Sequence, residues 1–400
     1  VNYKGSCLVT LSALPLSVAA VEPLAYQTEN GIDVTPTVEM SAGHNDNVRR
    51  TTTDTVSSPM LKISPKVIAL FQTDMGTYQF DYRLDAVSYS DSSEDSYADH
   101  QAHIGTVWMF DIRHRLRINY TYQSINEERG TGLTEGYSLS ADEPLRFDYH
   151  QFNTRYTYGA AGAKGRLVGI AGYDAKAYDD VTFTTRSVQQ SRYYNWKQPY
   201  VGGEFYYAVS NYFYAVAIGR IADRTYDEAA PNVISRDNTN STLYGGLEWD
   251  ITGKTQGKLL LGVQNKDFDD SGRETFQGFS WRANLSWRPA EYSELRLETR
   301  DYARDPDLNA DYVKDRSVKV DWEHYWTPRL STLATVRYGK NEYPGDIRVD
   351  DDTLAEVSAT YSLARWWDVT VGISKFDRDS TFTGFSYDQT RFFLGMEVSL

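Results

Sequence analysis

The stretch Phe279-Ser280-Trp281-Arg282-Ala283-Asn284-Leu285-Ser286-Trp287 alternates apolar and polar residues without a break. Successive side chains of a β-strand point to opposite faces, so Phe279, Trp281, Ala283, Leu285 and Trp287 share one side. Ser280, Arg282, Asn284, Ser286 and Arg288 share the other. One face is greasy and the other strongly polar. The same period of two recurs through the chain. Tyr78, Phe80, Tyr82 and Leu84 alternate with Gln79, Asp81, Arg83 and Asp85, and Val318, Val320 and Trp322 alternate with Lys319, Asp321 and Glu323. Counting outward from Phe279–Trp287 gives about eighteen such segments, centred near residues 39, 66, 83, 104, 121, 153, 172, 201, 218, 246, 262, 283, 299, 319, 337, 359, 374 and 394. Near residues 172 and 218 either parity fits.

The connections sort by length. Turns such as Ser210-Asn211, Arg288-Pro289-Ala290-Glu291 and Ala364-Arg365 are short. Every other connection is a longer polar loop, including Gly130–Leu145, Asp227–Thr239, Asp267–Thr275, Ala303–Asp311 and Pro344–Asp352. A closed barrel in a bacterial outer membrane has short periplasmic turns and long external loops, with an even strand number. A soluble sandwich would also alternate, but its loops would not sort this way.

Composition agrees. Of 400 residues, 31 are Tyr, 9 Trp and 16 Phe, while only 40% are hydrophobic even with Tyr included. That is few aliphatics for a soluble core of this length and many aromatics for a disordered chain. No apolar run approaches the roughly 18 residues of a membrane-crossing helix. Apolar residues facing lipid and polar ones facing a lumen resolve the conflict. The expected fold is all-β: a single transmembrane antiparallel up-and-down barrel of about 18 strands (16–18), without a plug domain. Trp249, Trp287, Trp322, Trp326 and Trp367 lie near short-turn ends, where an interfacial girdle is expected.

Residues 1–25 read as a signal peptide. Lys4 supplies positive charge, Cys7 to Ala20 form the apolar stretch, and cleavage is expected near Ala20 or Ala25. Residues 26–400 then form the barrel. Cys7 is the single cysteine, so the exported chain has no thiolate metal site or disulfide framework. The net charge of −14 disfavours nucleic acid as a partner. The partners expected from this placement are outer-membrane lipid, lipopolysaccharide and the barrel assembly machinery.

The C-terminal segment places Phe392, Leu394, Met396, Val398 and Leu400 on one face, and the sequence ends within it. It resembles the assembly signal of outer-membrane proteins, with Gly395, Val398 and Leu400 at the matching positions. The final residue is Leu rather than Phe, and Phe393 stands where a polar residue is usual. Over essentially the whole exported chain the sequence is similar to the outer-membrane β-barrel porins of the second type, a Tyr-rich, acidic family associated with exopolysaccharide clusters. The resemblance implies export of capsular or exopolysaccharide across the outer membrane, together with a periplasmic export protein. The alternatives are a general or selective diffusion porin for small anions or sugars, and a filled structural or lipid-modifying barrel.

Parity assigns a charged inner wall. Its basic members are Arg115, Arg117, Arg155, Arg282, Arg288, Arg296, Arg300, Lys319 and Arg337. Its acidic members are Asp81, Asp85, Glu294, Glu298, Asp321, Glu323 and Glu356. In one reading these brace the wall as ion pairs, each contributing about 0.2–1 kcal/mol. In the other, Arg115, Arg117, Arg155, Arg282, Arg296 and Arg337 stay unpaired and hold an anionic polymer weakly and repeatedly, as conduction requires. The planar guanidinium suits carboxylates. Tyr206 and Tyr325 also point inward and offer faces for sugar rings. Gly130–Leu145 is the candidate constriction, with a surface loop as the alternative. The acidic run Asp346, Asp350, Asp351 and Asp352 reads as a solvated loop.

No enzymatic or cofactor signal stands out. His100 and His103 are three apart and face opposite sides of a strand. Asp267, Asp269, Ser271 and Gly272 imitate a calcium loop, but the position of its closing Glu falls on Gly278. No Ser is singled out as a nucleophile held by His. The expectation is a channel, with no catalytic residue, metal or cofactor.

Overall fold

The computed structural model describes residues 24–399 apart from 161, 184–189, 252, 308–309 and 346–347. The predicted signal peptide, except for Leu24 and Ala25, lies outside the described residues, as do Asp346 and Leu400.

A two-residue strand, β1 (Tyr26–Gln27), pairs with the start of β2 (Ile32–Asn45). There follow β3 (Ser58–Gln72), β4 (Gly76–Tyr89), β5 (Tyr97–Met109), β6 (His114–Glu127), β7 (Leu145–Tyr158), β8 (Gly165–Tyr178), β9 (Trp196–Ala208) and β10 (Phe213–Tyr226). The second half comprises β11 (Asn238–Ile251), β12 (Thr255–Phe268), β13 (Phe276–Ala290), β14 (Ser293–Arg304) and β15 (Val313–Thr327). It ends with β16 (Leu330–Glu342), β17 (Val349–Ala364), β18 (Trp367–Ser380) and β19 (Tyr387–Ser399). Each strand from β2 to β19 pairs antiparallel with its sequence neighbours, and β19 closes on β2 from Ser399↔Thr37 to Arg391↔Asn45. The result is an eighteen-stranded up-and-down barrel, and every segment centre expected from the sequence falls inside one of its strands. Closure pairs the main chain all round, the condition for a sheet to cross hydrocarbon.

The outer face carries the apolar half of the alternation. Phe279 and Trp287 are exposed outward while Ser280 between them is fully buried. Met40, Leu61, Ile104, Phe152, Leu243, Val336, Ile373 and Leu394 continue the belt. Barrel strands run to 12–16 residues, longer than the roughly 9–11 that span a bilayer, so their ends stand beyond the lipid. On the outer face near the long-loop end, Arg316 accordingly donates to Asp301 at 2.9 Å.

β8 and β10, where either parity fits the sequence, turn Val168, Ile170, Val216 and Ile218 inward. Outward they show Gly169, Ala171, Ala217 and Gly219, so both faces are apolar and the pattern is mute. Inside, this aliphatic patch packs with Tyr206, Tyr214, Tyr244 and Leu260.

Candidate functional site: the lumen and its mouth

Register decides which inner-wall charges meet. Arg155 on β7 makes a two-pronged pair with Glu204 on β9, at 2.8 and 3.0 Å. Arg296 donates to Glu323 at 3.0 Å, and Arg288 to Glu294 at 3.1 Å. Arg300 pairs with Asp315 at 3.2 Å, and Lys319 with Asp321 at 2.9 Å. Arg115 reaches the carbonyl of Gly159 at 3.3 Å. The expected set of unpaired arginines is therefore too large: Arg155 and Arg296 are bound to carboxylates because a long side chain spans an intervening strand or the adjacent one. Arg117, Arg282 and Arg337 have no carboxylate at ion-pair distance among the described residues.

The acidic members behave similarly. Asp81 holds His103 at 2.9 Å, while His100 turns outward to Tyr82. Asp85 takes Arg83 at 2.8 Å and Lys62 at 3.2 Å. Glu356 is buried in the wall, and Glu298 stands exposed opposite Lys319. Tyr325 and Tyr206 both point inward, donating to Glu323 and Glu204. The ring face of Tyr206 is not free for a sugar, because Arg166 lies 4.0 Å above it. Arg282 hangs over Tyr244 at 5.4 Å and over Tyr302 at 5.9 Å. Thus the β8–β14 wall is layered: aliphatics beneath, tyrosines over them, cations facing the lumen.

Gly395 packs inward against Ser41 of β2, and Val398 sits opposite Val38 at the closing seam. Both positions of the predicted assembly signal that are described thus lie at barrel closure.

The Gly130–Leu145 segment is not a surface loop. Its residues Leu133, Thr134, Ser138, Ser140 and Ala141 are buried, and two short 3-10 turns (Gly132–Thr134 and Ser138–Ser140) shape it. Glu128, just before it, accepts from Arg391 of β19 at 3.1 Å, from Tyr97 of β5 at 2.8 Å and from Arg50. Arg129 clasps Asp95 of the preceding long loop, between β4 and β5, at 2.5 and 2.6 Å. Glu135 then reaches Arg348 at 2.9 Å and also pairs with Arg378. Arg378 lies on the inner face of β18, six strands round the wall from β6. A loop whose carboxylates meet inward-facing arginines lies inside the mouth. Arg304 of β14, nearly opposite, adds to the positive field on Glu135. Burial opposes ionisation of Glu135, yet Arg378 and Arg348 hold its carboxyl below the ordinary range.

Two members of the acidic run read as solvated, Asp350 and Asp352, are in fact part of this closure, while Asp351 accepts from Tyr338 on the other face. Asp350 is fully buried and paired with Arg348, and Asp352 takes Arg378 at 2.6 and 2.9 Å. A second set lies across the mouth: Asp305, after β14, meets Lys266 of β12 at 2.9 Å and Arg224 of β10 at 3.0 Å. Sequence reading missed Glu128, Glu135, Asp305, Arg348 and Arg378, since partners as far apart as Glu135 and Arg378 leave no local trace. The glycines Gly130, Gly132 and Gly136, all at positive φ, were the available sign of an ordered loop.

A closed, lipid-facing barrel with a charged lumen and a loop-narrowed mouth defines an integral outer-membrane channel. The chain belongs to the family described as "Putative beta-barrel porin 2", whose model matches residues 33–400. Among solved structures, it is similar in fold to OccK2 (OpdF) of Pseudomonas aeruginosa, at 13% identity and TM-score 0.50, covering 92% of this chain and 98% of that one. A BenF-like porin from Pseudomonas fluorescens Pf-5 matches at 12% identity and TM-score 0.50, covering 92% and 99%. Among curated proteins none matches significantly.

Proposed function

We propose that the channel carries an acidic saccharide, with capsular or exopolysaccharide leaving the cell as its principal cargo and a periplasmic export protein as its partner. One observation carries the choice of an anion. Cross-strand pairs on the inner wall that set cation against cation include Arg117↔Arg155, Arg282↔Arg300 and Lys319↔Arg337, whereas the acidic pair Glu294↔Glu323 is answered on both sides, by Arg288 and Arg296. Like charges directly opposite destabilise a sheet. In each of these cation pairs one member has a carboxylate and the other, Arg117, Arg282 or Arg337, does not. Three unanswered cations distributed round the lumen, on β6, β13 and β16, are weak, repeated sites for carboxylates, which suits passage rather than retention. The polymer itself is favoured by the family's association with exopolysaccharide clusters.

Deleting the gene and measuring polysaccharide separately at the cell surface and in the periplasm tests this. Loss of surface polymer with periplasmic accumulation is expected; unchanged surface polymer would overturn export. The second reading, a selective diffusion porin for small anions or sugars, is favoured by the loop in the mouth. It expects steady anion-selective conductance from the purified protein and a defect in solute uptake on deletion.

A further inference from the structure

We propose that Arg348 and Arg378 form a carboxylate-binding site at the mouth, occupied in the resting protein by Glu135, and that an acidic saccharide opens the mouth by taking its place. The proposal rests on the channel carrying anions.

Both guanidinium groups converge on one carboxylate borne by a loop from six strands away. Aromatic rings frame them: Arg348 lies 3.9 Å from Phe385 and 4.2 Å from Tyr343, and Arg378 lies 5.7 Å from Tyr387. Planar guanidinium groups against rings, with a carboxylate between them, make a site that accepts a uronic acid as readily as a glutamate side chain.

Glu135 is the replaceable member of this cluster. Arg348 keeps Asp350 and Arg378 keeps Asp352 whether or not the loop is docked. Withdrawing Glu135 therefore leaves no buried arginine without a counter-charge, the circumstance that makes breaking a buried pair costly. Glu128, at the base of the same loop, differs. Arg50 and Arg391 have no other carboxylate among the described residues, so its removal would orphan both. The base is anchored and the tip is releasable. The docked position is nonetheless specific: a Cβ at Gly136, φ +70°, would stand 2.4 Å from the Phe385 ring.

Purified full-length protein in detergent is titrated with oligogalacturonate, and with maltotriose as the neutral control, and the same proteins are reconstituted in planar bilayers. A site filled by its own loop nine-tenths of the time shows a tenth of its intrinsic affinity, so Glu135→Gln should bind oligogalacturonate about ten-fold more tightly than wild type. Adding Arg378→Gln to that variant should abolish the gain, with heat-modifiable migration on gels confirming a folded barrel. In bilayers, oligogalacturonate should raise the wild-type open current, and Glu135→Gln should conduct without it. Equal binding by wild type and Glu135→Gln, or no binding by either, would overturn the proposal even if both conduct. The expected binding pattern with no conductance in any variant would support the site and overturn the opening of the mouth, and the cargo stands or falls separately on the gene-deletion measurement.

Discussion

Arg117 of β6 stands directly opposite Arg155 of β7, with both side chains on the lumen wall. Only Arg155 is neutralised, by Glu204 two strands on. The repulsion that remains is the kind a passing anion relieves. Replacing Arg117, Arg282 and Arg337 together with alanine should leave stability within about 1 kcal/mol of wild type or slightly raised, since each substitution removes a like-charge contact. Anion selectivity, read as reversal potential across a salt gradient, should fall. Undiminished selectivity would exclude these three as the sites.

Glu128→Gln tests the loop's anchor. It leaves Arg50 and Arg391 facing each other's charge in the mouth with no carboxylate, and a loss of about 3 kcal/mol is expected for an orphaned buried pair, less in proportion to the screening of Glu128. Denaturant unfolding monitored by tryptophan fluorescence would measure it. A cost within a few tenths of a kcal/mol would show that water replaces the carboxylate there.

Asp305 makes the closure acid-sensitive. Burial disfavours its charge, but Arg224 and then Lys266 overcome this and push its pKa down to about 2 from 3.8. A carboxylate depressed in the folded state contributes stability that is fully present above its unfolded value and is lost as pH falls through the folded one. The difference in melting temperature between wild type and Asp305→Asn should thus be constant above about pH 5 and shrink between pH 3.8 and 2. A difference independent of pH in that interval would assign the residue a steric role.

Phe393 is the apolar residue at a position where the alternation leads one to expect a polar one. It points inward, is 1% exposed, and lies over Gly372, whose added Cβ would stand 2.4 Å from the ring. Gly372→Val should displace the ring and weaken the β18–β19 seam, and Phe393→Ala should cost about 3–5 kcal/mol by leaving a void. If urea unfolding of Phe393→Ala matches wild type, the ring is dispensable to closure.

Much of this was written locally. Alternation is a property of neighbours, so Phe279 to Trp287 declares a strand with two unlike faces without reference to the rest of the chain. Eighteen such segments with loops sorted by length imply closure. Alternation gives no parity where both faces are apolar, as in β8 with Val168 and Ile170 inward and Gly169 and Ala171 outward. The inner-wall residues were legible by parity, but their pairing was not.

What the sequence by itself determined, then, is the barrel: its strand number to within two, its lipid-facing side and its charged lumen, because each follows from a period of two that the backbone imposes. The tertiary structure alone decided which charges are answered and where the Gly130–Leu145 loop lies. Those depend on cross-strand register and on contacts such as Glu135 with Arg378, 243 positions apart. A long charged side chain chooses among partners by distance in space, and sequence spacing does not encode that distance.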